Sequence, residues 1–231
     1  MKDREINDIL KQAARVPHDV DPALLDRVAR SIGPTLRPVR PLPQAWVLAG
    51  GLVLVCAAVA LAGAARLGLA GVEELNGLKR GLIFPALGIL IWLAAAASAG
   101  EMVPGSRRRV APGVLLGAGC LALAAVFALL FHDYHTTHFV PQGIACLTAG
   151  LMLAIPAAVV SWLLLRRGFA VHRVAAGTAA GTLAGLAGVT MLELHCANFE
   201  FWHVLLWHTA VVPVSGAAGA LLGWLRNLRA G

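Results

Sequence analysis

The chain has 231 residues, of which 58% are hydrophobic and only 13% are charged, with a formal net charge of +7. Soluble domains carry about 25% charged residues. A chain of this length cannot hide so much apolar sequence in one core. These values exclude an ordinary soluble domain and indicate a membrane protein.

The N-terminal part of the chain, residues 1–45, is polar and forms a separate unit from the membrane domain, residues 46–231. Apolar residues recur at helical spacing within Asp3–Arg15. Asp21 is a candidate N-cap, and Pro22 after it occupies the first position of a second helix. Gly33-Pro34 ends this helix. Residues 37–43 are a stiff, basic, proline-rich connector.

The second predicted helix carries an apolar stripe that consists of Leu24, Leu25, Val28 and Ile32. A short amphipathic helix cannot bury such a stripe by itself. The acidic residues of the segment disfavour an anionic lipid surface as its main target. We therefore expect a protein partner at this stripe.

Apolar runs without any charged residue dominate the rest of the chain, and each is long enough for the roughly 20 residues that a helix needs to cross a bilayer. The runs are Gln44–Ala65, Gly81–Gly100, Val110–Phe131, Phe139–Leu165, Val174–Leu192 and Val204–Leu225. The sequence therefore predicts an all-α fold, a bundle of six transmembrane helices.

Basic residues predict the orientation of these spans. The N-terminal segment, the second and fourth connections and the C-terminal tail hold 16 of the 19 Lys and Arg residues. Cytoplasmic loops of membrane proteins carry an excess of these residues. Both termini are therefore expected in the cytoplasm. The basic residues lie beside spans and among acids, which disfavours direct binding of nucleic acid.

Small residues predict where the spans pack closely. Gly177, Gly181 and Gly185 form one ridge that allows close helix approach, and Gly113 and Gly117 are expected to act in the same way. No Asp, Glu, Lys or Arg lies at the middle of a span, which counts against a transporter.

The four cysteines divide into two pairs. Cys56 and Cys120 lie within spans in apolar company, as small buried hydrophobic residues do. Cys146 and Cys196 lie near the outer ends of two spans, where an oxidising exterior permits a disulfide if their α carbons come within about 7 Å. The sequence does not decide whether they meet.

Two polar segments, residues 132–138 and 193–208, are expected on the outer side, and we expect the fold to bring them together. With the two thiols, their histidines form a candidate site for a zinc- or copper-like divalent ion or another heavy metal ion. The candidate ligands are His132, His135, His138, His195 and His203. The alternative is a polar belt at the membrane surface. The absence of a phosphate loop or a recognisable nucleophile–base spacing disfavours an enzyme.

The sequence resembles the NrsF family of membrane anti-sigma factors, negative regulators of sigma F and related extracytoplasmic-function sigma factors. The resemblance rests on the connector Leu36–Pro43, on Cys146 opening the fourth span within Gly143–Leu147, and on His195-Cys196 closing the fifth. This chain departs from the family in its longer N-terminal segment and its histidine-rich third connection.

The resemblance implies that the cytoplasmic segment holds a sigma factor at the membrane and releases it on a heavy-metal or oxidant signal. The implied sensing pair is Cys146 and Cys196. The stripe of the second helix is the candidate sigma-binding surface. One competing interpretation is a membrane metal-binding or transport component that uses the external histidines. Another is a structural membrane protein whose polar segments only cap helices.

Overall fold

A computed structural model describes residues 21–32, 42–103, 110–136, 138–168 and 172–228 of the chain. Within these ranges the regular structure is helical, and no strand occurs. The chain divides into two compact units, Met1–Pro41 and Leu42–Gly231.

In the first unit, helix α1 spans Pro22–Ile32. The Ala23 amide donates to Asp21 Oδ1 at 2.9 Å, which confirms Asp21 as the N-cap. Leu25 is 56% exposed and Val28 is 44% exposed, so the apolar stripe lies open. The side chain of Ile32, the helix predicted within Asp3–Arg15, the predicted helix end at Gly33-Pro34 and connector residues 37–41 lie outside the described residues.

In the second unit, the helices follow one another through short connections. They are α2 Ala45–Leu67, α3 Ala70–Glu74, α4 Gly77–Gly100, α5 Pro112–Leu130, α6 Phe139–Leu165, α7 Arg173–His195, a π-helical turn His203–His208 and α8 Thr209–Leu228. Among the described residues, six segments are long and apolar enough to cross a membrane, the last being His203–Arg226. For the described residues, the prediction of an all-α fold with six helices able to span a membrane is confirmed.

The outward faces of these helices are strongly apolar. Leu54, Leu121 and Leu129 are 72%, 74% and 75% exposed, respectively. Continuous apolar surface of this kind is unfavourable in water but suits contact with lipid. Burial and composition thus agree with a bundle that lies in a bilayer.

Helix α7 lies at the centre of the bundle. In its most apolar 18-residue stretch, 83% of the residues are buried, whereas the corresponding stretches of the other spans are 22–44% buried. The hydroxyls of Thr178, Thr182 and Thr190 each donate to the carbonyl four residues earlier, at 2.8–2.9 Å. The helix therefore satisfies its own polar side chains and needs no water in this position.

The glycine ridge of α7 packs directly against the backbone of α8. A Cβ atom at Gly177 would collide with the carbonyl of Gly219, and one at Gly181 with the carbonyl of Ser215. A Cβ atom at Gly185 would lie 2.8 Å from the α carbon of Val212 in α8. The predicted close approach at this ridge is confirmed.

The same prediction for the third span is wrong. A Cβ atom at Gly113 or Gly117 would meet nothing within 4 Å, because both glycines lie on the exposed face of α5. The predicted burial of the intramembrane cysteines holds for Cys56, which is 1% exposed, whereas Cys120 is only half-buried.

The two ends of the bundle differ in chemistry. At one end, Arg173 donates to the Arg226 carbonyl at 2.8 Å, and the Arg226 guanidinium lies 3.9 Å from the ring centre of Trp162. The end of α6, the start of α7 and the end of α8 therefore meet there. Because successive spans alternate in direction, Cys146 near the start of α6 and Cys196 just after α7 lie at the opposite end.

Candidate functional site

The two polar segments meet at the end of the bundle that carries Cys146 and Cys196. The Phe201 amide donates to the Asp133 carbonyl at 2.6 Å. The rings of Phe131 and Phe199 stack with their centres 5.3 Å apart. The expectation that the fold brings these segments together is confirmed.

Cys196 is positioned by the end of α7. Its amide donates to the Leu192 carbonyl at 2.7 Å, and its backbone then becomes extended. The Asn198 side chain accepts from the Glu200 amide at 3.0 Å and donates to Gln142 of α6 at 2.7 Å. Such side-chain bonds compete with helix continuation. They terminate the helical path and tie this segment to α6.

The π-helical turn brings two histidines together. In a π-helix the hydrogen bonds join residues five apart, so His203 and His208 lie on successive turns. Their ring centres are 5.3 Å apart, with the planes at 75°. In an α-helix, residues five apart are rotated by about 140° around the axis, so this pairing depends on the irregular turn.

Two thiols and two imidazoles converge at this point, and we call Cys146, Cys196, His203 and His208 the thiol–imidazole cluster. The Sγ atoms of the two free cysteines are 3.4 Å apart. Cys196 Sγ lies 3.6 Å from His203 Nε2. One potential ligand atom from each residue lies within 4.8 Å of every other. Cys146 is half-buried and the other three are buried.

A buried carboxylate orients one of the imidazoles. His208 Nδ1 lies 2.7 Å from Glu193 Oε1, and both side chains are fully buried. Glu193 precedes Cys196 by three residues, so the end of α7 presents both on one face. With Nδ1 engaged as a donor, Nε2 is the free atom of His208, and it has no hydrogen-bond partner among the described residues.

Of the histidines predicted as ligands, only His203 belongs to the cluster. His195 Nδ1 lies 3.2 Å from the Gly68 carbonyl in the connection between α2 and α3. Gly71 of α3 packs there against the carbonyls of Glu193 and Cys196, each 2.8 Å from where a Cβ atom would stand. The side chain of His195 therefore contacts the connection that leads into α3 and does not point into the cluster.

The histidines of the third connection, His132, His135 and His138, are exposed and lie outside the cluster. His135 Nδ1 pairs with the Asp133 carboxylate. This hydrogen bond raises the pKa of His135 and lowers the pKa of Asp133. The two partners therefore favour their charged forms at the protein surface.

His208 and Glu193 are the two members of the arrangement that the sequence did not assign as functional. The only sequence signal for His208 is its position in the second polar segment, five residues after His203. The sequence signal for Glu193 is that it is an acidic residue at the end of a span, where an ionisable side chain generally pairs with another polar group.

Among the described residues, six helices of membrane length and a buried thiol–imidazole cluster at one end are those expected of a multi-pass membrane protein with a candidate binding or sensing site. The family model described as NrsF, negative regulator of sigma F, matches residues 33–229, and the chain belongs to this family. By its description, this is a family of sigma-factor regulators. No curated protein and no solved structure matches the chain.

The matched region includes all four cluster residues and Glu193. It begins immediately after α1, which ends at Ile32. The match therefore includes all described residues of the membrane unit, and α1 lies outside it.

Proposed function

We propose that this protein is a membrane-bound anti-sigma factor that holds an extracytoplasmic-function sigma factor at the bacterial inner membrane. It releases the sigma factor when a heavy metal or an oxidant reacts with Cys146 and Cys196 on the periplasmic side. Membership of the NrsF family is the observation that carries this proposal. The action is binding and release, without a catalysed reaction.

The proposed orientation is supported by the separation of charge and thiols. Arg166, Arg167, Arg173 and Arg226 lie at the end of the bundle opposite the cluster. Short cytoplasmic connections are rich in Arg and Lys. The arginine-rich end is therefore the cytoplasmic end, and the cluster faces the periplasm.

The proposed sensing pair is supported by its geometry. Two free thiols 3.4 Å apart can be joined by a two-electron oxidation or bridged by one metal ion. Cys146 belongs to α6 and Cys196 follows α7, so either event fixes two spans against each other. Switching a population from 1:99 to 99:1 requires about 5.5 kcal/mol of bias. Metal ligation operates on this scale.

The proposed sigma-binding surface is the open stripe of α1. Leu24 is 49% exposed and Leu25 is 56% exposed. An amphipathic helix with apolar residues at this spacing suits a hydrophobic groove on a protein partner. Regulators of this kind need such a surface on the side of the membrane where the sigma factor is.

The test is capture of a sigma factor by the full-length protein in native membrane vesicles, with identification by mass spectrometry. We expect the wild type to retain a sigma factor, and Leu25→Asp with Val28→Asp to lower retention by at least about tenfold, since buried apolar contacts at an interface centre are lost. The matched control is Ala23→Asp with Arg30→Gln, which makes the same charge change on the opposite face. A wild type that captures no sigma factor, or a stripe variant that captures as much as the control, overturns the proposal.

A membrane metal-binding or transport component is the second candidate, and the convergence of four potential ligands favours it. A transporter would move metal ions across sealed vesicles, and the flux would depend on His135, His138 or the cluster. An anti-sigma factor would show sigma capture without such flux.

A further inference from the structure

The geometry points to a four-ligand metal site formed by Cys146, Cys196, His203 and His208, which takes one thiophilic, tetrahedral cation of the Zn²⁺ or Cd²⁺ type. The biological meaning of this inference rests on the proposed function, because it names the ligand of the sensing pair. Its chemistry depends only on the membrane unit.

The spacing of the ligand atoms fits a single ion. Around a tetrahedral ion with Zn–S distances of about 2.3 Å and Zn–N distances of about 2.0–2.1 Å, the ligand atoms are about 3.3–3.8 Å from one another. The observed separations are 3.4 Å between the Sγ atoms and 3.6 Å from Cys196 Sγ to His203 Nε2. All four ligand atoms lie within 4.8 Å of one another, so a side-chain shift of about 1 Å completes the shell.

The donor set selects the class of ion. Two sulfurs and two imidazole nitrogens make the Cys₂His₂ set that binds zinc in closed tetrahedral sites. Mg²⁺ and Ca²⁺ are disfavoured, because they require oxygen ligands. Binding replaces the two thiol protons, which leave to solvent, and forms two metal–sulfur and two metal–nitrogen bonds without any change of oxidation state.

Glu193 supplies the outer partner that such a site requires. A histidine that ligates a metal generally donates its other N–H to a carboxylate or a carbonyl, which fixes the tautomer and the ring orientation. His208 donates from Nδ1 to Glu193 at 2.7 Å, and this places the lone pair on Nε2. Glu193 is thus a positioning residue that acts through His208.

A disulfide alone leaves this arrangement unexplained. Joining Cys146 to Cys196 would use neither imidazole. His208 Nε2 would remain buried with no hydrogen-bond partner among the described residues, and buried polar atoms are normally paired. A metal ion would bind Nε2, and the Glu193–His208 hydrogen bond would then orient the imidazole toward that ion.

The cluster is accessible from one side, and an ion bound there would hold several spans together. Cys146 is half-buried, whereas the other three ligands are buried, so an ion reaches the cluster past Cys146. The ligands come from the start of α6, the residue after α7 and the turn before α8. One ion therefore fixes the ends of three spans together.

The test is titration of the reduced, full-length protein in detergent with Co²⁺, followed by displacement with Zn²⁺ and Cd²⁺, in a Cys56→Ser and Cys120→Ser background. We expect one ion per chain, with the visible absorption of a tetrahedral site and a sulfur-to-cobalt charge-transfer band. Cys146→Ser, Cys196→Ser, His203→Ala and His208→Ala should each lower affinity by at least about 100-fold, because loss of an outer partner alone costs about 10–100-fold. Glu193→Gln should lower it by about tenfold.

The matched controls are His195→Ala and His135→Ala, which should bind cobalt as the background does. If His208→Ala does not fold, the combination of His208→Gln with Glu193→Gln keeps a buried hydrogen bond and removes the ligand. Absence of stoichiometric binding, or unchanged affinity and spectrum in either His203→Ala or His208→Ala, overturns the four-ligand site. Sigma capture by the same preparations is measured in parallel, so that failure of the metal site is distinguished from failure of the proposed function.

Discussion

Glu193 is a fully buried carboxylate, so the fold must provide a partner for it. Its side chain and that of His208 are fully buried at the end of a membrane span, with 2.7 Å between Oε1 and Nδ1. A buried carboxylate without a partner is strongly destabilising, and removal of one member of such a pair costs more than replacement of both. The pair therefore contributes to stability as well as to the orientation of His208.

At this scale we predict that Glu193→Leu lowers the free energy of unfolding by about 3 kcal/mol, because it leaves a buried imidazole donor unpaired. Glu193→Gln keeps an acceptor for the Nδ1 proton and should cost about 1 kcal/mol. Reversible unfolding in mixed micelles, followed by circular dichroism, measures the difference. Equal stability of the two variants would contradict the structural role assigned to the pair.

The nearness of Cys146 and Cys196 was foreseeable in part, since the sequence places both near the same ends of adjacent spans. The contributions of His208 and Glu193 were not. A spacing of five separates two residues around an α-helix, and only the π-helical turn aligns them. Whether such a turn forms depends on packing, which no local pattern of residues encodes.

Among the helices, α7 differs from its neighbours because its surface consists largely of small side chains. Bulky residues would hold α8 away, and at Gly181 the carbonyl of Ser215 occupies the space that a Cβ atom would need. In lipid, where apolar side chains gain little by leaving the solvent, such close contact provides the packing energy of helix association.

We therefore predict that Gly181→Val destabilises the membrane unit by at least about 1–3 kcal/mol, because the obstruction is backbone and cannot rotate away. Gly117→Val is the matched control, since it adds the same side chain within a span at a position with nothing within 4 Å. Thermal unfolding of the purified variants in one detergent compares them. A loss of the same size at both positions would mean that the crossing of α7 and α8 is not close.

The positions of the spans were readable to within a few residues, because charged and polar residues mark the ends of the apolar runs. The sequence did not indicate which face of each span is buried in the bundle. Gly117 and Gly181 occur in equally apolar surroundings, and a helix that is apolar all round carries no polar face from which to judge which side is buried.

At the largest scale, the two ends of the membrane unit differ, because one end is rich in arginine and the other carries the thiol–imidazole cluster. Residues 166, 167, 173 and 226 mark the former, and the third and fifth connections mark the latter. The proposed direction of this polarity in the cell rests on the excess of basic residues that cytoplasmic connections usually carry.

A reporter enzyme that is active only outside the cytoplasm tests this orientation. Fused after Thr136 in the connection before α6, it should be active, whereas fused after Arg167 or Leu228 it should be inactive. A second reporter that is fluorescent only in the cytoplasm should give the opposite pattern. Activity of the first reporter at Arg167 and Leu228, without activity at Thr136, would invert the proposed topology.

The distribution of the cluster along the chain imposes an order on its biosynthesis. None of the four cluster residues precedes α6, and the last of them, His208, lies at the start of the final span. Ribosomes synthesise the chain from its N-terminus at about 5–20 residues per second, so both cysteines are made before either histidine of the cluster. During that interval the two cysteines lack their imidazole neighbours, so the proposed four-ligand site can form only once the last helix is present.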